Sequence, residues 1–167
     1  MSIWFLPGRH GTPTGFRAQW FSNHVGARPL FLDPEKPFEW LCDDLKRRIS
    51  EQGKPECLIG VSSGAALIWK LLHERAWDGP TVLLSPALRR YMQPLAPPPV
   101  GHGIVFHGER DSVVAIEDSV TAIAGSESRF KLERCADEEH ALKGVFADPR
   151  LPQGLESLGL KLLLKPR

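Results

Sequence analysis

Short apolar segments alternate with longer segments of helical periodicity along this chain. Six apolar runs predict strands, at residues 2–6, 29–33, 56–61, 81–85, 103–107 and 130–135. Most of these runs are continuously apolar instead of alternating between apolar and polar residues. That pattern is typical of strands that are covered on both faces, as in a parallel sheet.

The segments between these runs predict helices. Residues 37–53 have apolar side chains at helical spacing, and Gly53 is a suitable stop. Further helices are predicted at residues 12–25, 63–76, 115–125 and 155–165. The alternation of strand and helix along the whole chain predicts a doubly wound α/β fold with a mostly parallel sheet of about six strands.

Composition and charge favour one globular domain over residues 1–167, 42% hydrophobic and 25% charged. The net charge of +1 provides no electrostatic footprint for nucleic acid or an anionic membrane. No secretory leader and no apolar run of membrane-spanning length is recognisable. Cys42, Cys57 and Cys135 lack metal-ligand spacing, so we expect no metal site and reduced thiols in a cytoplasmic protein.

A serine lies between two glycines where a predicted strand changes to a predicted helix. The stretch from Gly60 to Gly64 reads GVSSG and matches the pattern G-x-S-x-G. In this context the pattern is typical of a nucleophile elbow, in which Ser62 is held at the exposed tip of a sharp turn. The N–H of Ser63, at the helix N-terminus, would then stabilise an oxyanion. The pattern alone is weak, because a glycine-rich turn without chemistry can have the same sequence.

A serine nucleophile needs a histidine base and an acid that orients the histidine. His140 follows the last predicted strand and Asp111 follows the fifth, which is where sites in open α/β sheets gather. Glu109 and Asp118 are alternative acids, although Glu109 is earlier in the turn and Asp118 falls within a predicted helix. The order Ser62, Asp111, His140 is the one expected of α/β-hydrolases.

These motifs resemble those of the α/β-hydrolase superfamily, in particular its small esterase-like members without a lid domain. The resemblance spans nearly the whole chain and rests on GVSSG, FHGERDSVV, DEEHAL and, after the first strand, FLPGRHG. It implies a three-layer α/β-hydrolase-like fold that lacks the two leading strands of larger members. The second and last predicted strands would then form the two edges of the sheet.

The resemblance also implies a function and a set of site residues. The protein would be a serine hydrolase that cleaves a small ester or thioester through an acyl-enzyme, without a metal or an organic cofactor. Ser62 would be the nucleophile, His140 the base and Asp111 its orienting acid. Family members often have His-Gly in the loop after the first strand, where this chain has Pro7-Gly8, so the second oxyanion donor would be the N–H of Arg9 or a neighbour.

Two other functions stay open at this point. A hydrolase-like scaffold can bind a ligand or a protein partner without turnover, because a fold does not fix a function. An amide or peptide hydrolase would use the same three side chains as an esterase and has no separate signature in this sequence.

Overall fold

A parallel sheet forms the centre of the protein. The computed structural model describes residues 2–163. Its strands are β1 (Ile3–Leu6), β2 (Arg28–Pro29), β3 (Cys57–Val61), β4 (Pro80–Leu84), β5 (His102–Gly108) and β6 (Phe130–Cys135). They are parallel throughout and lie in the order β2-β1-β3-β4-β5-β6. The predicted six-stranded parallel sheet and its two edge strands are confirmed.

Helices connect the strands. They are α1 (Phe16–Val25), α2 (Phe38–Gln52), α3 (Ser63–His73), α4 (Leu88–Tyr91), α5 (Ile116–Ile123) and α6 (Arg150–Ser157), with a 3-10 helix at Lys143–Ala147. The helices predicted at residues 37–53, 63–76 and 115–125 are confirmed to within a few residues. The helix predicted at residues 12–25 begins only after Gly15.

The helix predicted at residues 155–165 is misplaced. The helix in this region runs from Arg150 to Ser157, and residues 164 and 165 lie outside the described part of the chain. Gly159 has a φ of 83°, in the left-handed region where glycine is favoured after a helix. The N–H of Leu160 then donates back to the carbonyl of Leu155 at 3.1 Å. This cap ends the helix before the apolar residues that suggested its continuation.

The strand predicted at residues 29–33 is also wrong in extent, because β2 contains only Arg28 and Pro29. The N–H of Leu30 still donates to the carbonyl of Phe5 at 2.8 Å, but the chain then leaves the sheet. Phe31 is 61% exposed, so its hydrophobicity does not reflect burial. Since β2 is an edge strand and Pro29 lacks an N–H, little holds a longer strand there.

Side chains from the two faces of the sheet form two separate cores. Neighbouring residues point to opposite faces, so Ile59 packs towards α1 and α6 while Leu58 packs towards α2, α3 and α5. Both side chains are fully buried. Coverage of both faces explains the continuously apolar strands, and it confirms the three-layer α/β architecture.

The strand order places a cleft at the carboxyl ends of β1 and β3. After β1 the chain moves outward to β2, and it then returns to β3 on the other side of β1. The loops that follow β1 and β3 therefore diverge, which creates the crevice where open α/β sheets bind ligands. Among residues 2–163 no helix combines the length and apolarity needed to cross a membrane.

Candidate active site

Ser62 lies at a sharp turn between β3 and α3. Its φ of 52° and ψ of −112° are unusual for a residue with a side chain. A Cβ on Gly60 would be 2.7 Å from the backbone nitrogen of Ala65, and one on Gly64 would be 2.5 Å from the carbonyl oxygen of Leu6. The turn is thus packed directly against both α3 and β1, and only glycine fits at these two positions.

Three side chains distant in sequence meet at this turn. The Nε2 atom of His140 is 3.2 Å from Ser62 Oγ, and its Nδ1 atom is 2.8 Å from Asp111 Oδ2. Because an ionised carboxylate only accepts hydrogen bonds, Nδ1 carries the hydrogen and Nε2 presents its lone pair to the serine. The Asp111 side chain is fully buried, whereas that of His140 is 26% exposed. The three residues that the sequence analysis singled out therefore lie in one hydrogen-bonded chain.

The carboxylate of Asp111 is held by the loop that carries it. Its Oδ1 atom accepts hydrogen bonds from the N–H groups of Val113, at 2.9 Å, and Val114, at 2.8 Å. The two alternative acids have other partners: Glu109 pairs with Arg134 at 2.9 Å, and Asp118 pairs with Arg89 at 2.7 Å. The structure thus places Asp111 against His140, whereas Glu109 and Asp118 pair with arginines instead.

His107, on β5, is a buried neighbour of these three hydrogen-bonded side chains, and no motif in the sequence indicated it. Its Nε2 atom is 2.9 Å from the Val114 carbonyl and 3.2 Å from Asp111 Oδ2, and its Nδ1 atom is 2.7 Å from Ser119 Oγ. Since a carbonyl only accepts, Nε2 carries the hydrogen and Nδ1 accepts from the serine. Burial lowers the pKa of His107 and favours this neutral form, although the Val114 carbonyl and Asp111 oppose the shift.

The loop that carries His140 is fixed by two distant side chains. Ser85 Oγ donates to the His140 carbonyl at 2.9 Å, and Arg17 Nη2 donates to the Ala141 carbonyl at 2.7 Å. These partners are 55 and 124 positions apart in the chain. No local sequence signal reveals them, because neither side chain belongs to a motif around the histidine.

The predicted oxyanion donors border the same space. Ser63 is the first residue of α3, so its N–H has no acceptor within the helix. A Cβ on Gly8 would be 3.4 Å from the Cβ of Ser62, which places the loop after β1 beside the serine. Arg9, the next residue, lines the cavity that Ser62 and His140 also line.

Two cavities meet at this loop. The larger, about 740 Å³, is lined by Ser62 and His140 and is of the size that small-molecule sites commonly have. The smaller, about 200 Å³, is lined by Ser63 and Gly8.

Within the described residues no group of three or more histidine, cysteine or acidic side chains is arranged to hold a metal ion.

Comparison with known proteins identifies the fold. Neither a protein-family model nor a curated protein sequence matches the chain. The ydeN gene product from B. subtilis is similar in structure, with a TM-score of 0.73 and 16% identity over 95% of this chain and 98% of that one. A putative hydrolase of the alpha/beta superfamily from Xanthomonas campestris has a TM-score of 0.73 and 14% identity over 95% and 99% of the two chains.

A third similar structure is the esterase domain of a Rhodothermus marinus protein. Its TM-score is 0.68 and its identity 16%, over 95% of this chain and 86% of that one. The sequence identities are too low to carry an activity across, but the agreement over nearly the whole chain defines the architecture. The protein has the α/β-hydrolase fold.

The three cysteines do not line either cavity and are protected by burial. All are free and buried, and burial raises the pKa of the Cys42 thiol to about 12 and also raises the pKa values of Cys57 and Cys135. Because the thiolate is the reactive form, native protein at about pH 8 should react negligibly with a chromogenic aromatic disulfide within minutes. All three thiols should react after denaturation. Rapid release of the chromophore by native protein would contradict this prediction.

The glycine requirement at the serine turn can be tested by stability measurements. Gly64→Val would force a branched side chain against the β1 backbone, and we expect it to lower the free energy of unfolding by about 3 kcal/mol or to prevent folding. Gly15→Val is the matched control, because a Cβ at Gly15 would be 3.4 Å or more from its neighbours. Urea denaturation of both variants measures the difference. Equal midpoints for Gly64→Val and the wild type would mean that the turn is not tight.

Proposed function

We propose that this protein is a serine hydrolase that cleaves an ester or thioester of a small substrate through an acyl-enzyme. The observation that carries the proposal is the hydrogen-bonded chain from Ser62 through His140 to the buried Asp111, at the wall of a cavity of about 740 Å³. A nucleophile, a base and an orienting acid are the groups that acyl transfer by serine requires.

The geometry supports a definite role for each side chain. Ser62 attacks the acyl carbon while His140 Nε2 takes the hydroxyl proton, and His140 then returns that proton to the leaving group. Asp111 holds the Nδ1–H tautomer and stabilises the imidazolium that forms. Water activated by His140 then attacks the acyl-enzyme and restores the serine. A positioned base of this kind contributes about 10²- to 10⁴-fold in rate.

Backbone donors would stabilise the charge that develops on the substrate oxygen. We assign this role to the N–H groups of Ser63 and Arg9, on either side of the serine turn. The N-terminus of α3 adds the favourable end of the helix dipole. Loss of one such donor in other serine enzymes costs about 10²- to 10³-fold in kcat.

His107 would act as a positioning residue in this scheme. Its Nε2 atom lies 3.2 Å from the carboxylate oxygen that accepts from His140, and the Ser119 hydroxyl fixes its ring in turn. Its Nε2–H donates to the Val114 carbonyl, so the ring joins β5 to the loop that carries Asp111. The carboxylate thus stays oriented whether His140 is neutral or charged.

The structural relatives add support for hydrolysis over other uses of the fold. Their descriptions include putative hydrolases, an esterase domain and an alpha-beta serine hydrolase homologue from Coxiella burnetii. A binding module without turnover would share the fold. Such a module has no need for a base aligned on the serine, so covalent labelling separates the two functions.

The nucleophile is tested by labelling and kinetics together. A fluorophosphonate should label the wild type at Ser62, and Ser62→Ala should remove both labelling and ester hydrolysis, with a loss of about 10⁴-fold or more. Ser63→Ala is the control, since it removes the neighbouring hydroxyl but retains the backbone N–H. Ser62→Ala/His140→Ala should be barely slower than Ser62→Ala, because the residues act as a unit. Labelling that persists in Ser62→Ala would disprove the assignment.

The acid is tested by a pair of isosteric variants in the same turn. Asp111→Asn should lower kcat by about 10³- to 10⁴-fold, because the amide can donate to Nδ1 and so favours the wrong imidazole tautomer. Glu109→Gln, which breaks only the surface pair with Arg134, should leave kcat within about twofold. Steady-state kinetics on one activated ester compares them. The reverse order of effects would identify Glu109 as the acid.

A further inference from the structure

Positive charge is concentrated around the proposed active site. The whole chain is almost balanced, with 21 basic and 20 acidic residues. The wall of the larger cavity, in contrast, includes four arginines and one aspartate, namely Arg9, Arg17, Arg89, Arg90 and Asp118. Asp118 pairs with Arg89 at 2.7 Å and neutralises it. Three guanidinium groups therefore remain without a carboxylate partner in the lining of this cavity.

These three arginines differ in what they contact. Arg17 donates to the Ala141 carbonyl and has a structural role in the loop that carries His140. Within residues 2–163 the side chains of Arg9 and Arg90 make neither a hydrogen bond nor an ion pair, and Arg90 lies 5.6 Å from the centre of the Tyr91 ring. Both have all five N–H donors available to a ligand.

The two unpaired arginines lie where the cavities meet. Arg9 and Arg90 are exposed, and both line the larger and the smaller cavity, as does Ser63; Asp33 and Lys36 also line the smaller one. Guanidinium groups in a partly enclosed wall attract anions more strongly than they would on an open surface, because the low-dielectric surroundings concentrate the field. An anion bound there would be next to the reacting ester.

We infer that the substrate is an ester or thioester that carries an oxyanion group, a carboxylate or a phosphate, bound by the guanidinium groups of Arg9 and Arg90. This inference rests on the proposed function and narrows its substrate class. Arginine suits the role because its planar fork can donate two parallel hydrogen bonds to a carboxylate or a phosphate. Neutral esters of the same size enter the site without this contact.

The anion can belong to either half of the ester, so the experiment uses two matched pairs of substrates. In the first pair the charge is on the leaving group: 4-acetoxybenzoate against its methyl ester. In the second the charge is on the acyl group: the phenyl half-ester of adipic acid against phenyl hexanoate. The quantity measured is the ratio of kcat/KM for the charged and the neutral member, in the wild type and in the variants.

Arg90→Gln is the test variant and Arg75→Gln the matched control. Arg75 follows α3 at the end opposite Ser62, is exposed, and also has no side-chain partner within residues 2–163, so its replacement removes the same charge far from the site. In at least one substrate pair, Arg90→Gln should lower the charged-to-neutral ratio by about tenfold, as expected for loss of a charge-assisted hydrogen bond. Arg75→Gln should leave the ratio within about twofold.

Ionic strength provides a second readout. The charged-to-neutral ratio of the wild type should fall when salt is raised from about 0.02 M to about 0.5 M, because the Debye length shortens several-fold. Inhibition of the favoured reaction by phosphate or by acetate, compared at constant ionic strength, then identifies which oxyanion the arginines prefer. The stronger inhibitor should lose potency in Arg90→Gln.

The outcomes separate this inference from the proposed function. If neutral esters are hydrolysed in a Ser62-dependent reaction while both ratios are unaffected by Arg90→Gln and by salt, the inference is overturned and the hydrolase function stands. If no ester is hydrolysed and the fluorophosphonate does not label Ser62, both are overturned. A ratio that falls equally in Arg75→Gln would show a general charge effect and would also overturn the arginine site.

Discussion

The contact between the serine turn and β1 is the constraint on which the rest of the site depends. Gly64 lies so close to the backbone of Leu6 that a single additional carbon would overlap its carbonyl oxygen. This approach holds the start of α3 against the end of β1, where the chain changes direction across the sheet. As a result, Ser62, Ser63 and the loop containing Gly8 all line one cavity.

The other half of the site depends on loops that brace one another. The N–H of Arg110, in the loop after β5, donates to the carbonyl of Glu138, in the loop after β6, at 3.0 Å. His107 fixes Asp111 from inside the sheet, while Ser85 and Arg17 fix the backbone around His140. His140 is thus held within hydrogen-bond reach of Ser62 by contacts from three separate parts of the chain, at Arg17, at Ser85 and at residues 107–111. Preorganisation of this kind is what the proposed acyl transfer would require.

The charges around the cavity follow a different rule from the charges on the rest of the surface. Many surface arginines have carboxylate partners a few residues away, as Arg47 has in Asp44 and Glu51. Arg9 lies in the loop after β1 and Arg90 lies in α4, which follows β4, and both line the same two cavities because β1, β3 and β4 are neighbours in the sheet. Within residues 2–163 neither guanidinium group makes an ion pair with a carboxylate, so their charge is available to the anionic group that we infer in the substrate.

Much of the fold could be predicted from sequence because its signals are local. Six apolar runs and the helical periodicity between them predicted a parallel sheet of about six strands, and the resemblance to α/β-hydrolases added the three layers and the two edge strands. Both errors arose where hydrophobicity did not reflect burial: Phe31 is exposed beside a proline-containing edge strand, and a left-handed Gly159 ends α6 early. In these places backbone geometry and solvent exposure, which a pattern of apolar residues does not encode, decided the structure.

The candidate site likewise has features that the sequence predicts and contacts that only the fold creates. The sequence by itself determined the turn at Ser62 and the order in which Asp111 and His140 follow it, because steric limits of the turn and the chain positions after strands are local properties. Only the tertiary structure decided that His140 contacts Asp111 instead of Glu109 or Asp118, that His107 lies beside the same carboxylate, and that Arg9 and Arg90 line the cleft. These relations join residues far apart in the chain, and they exist only once the parallel strands align their carboxyl ends.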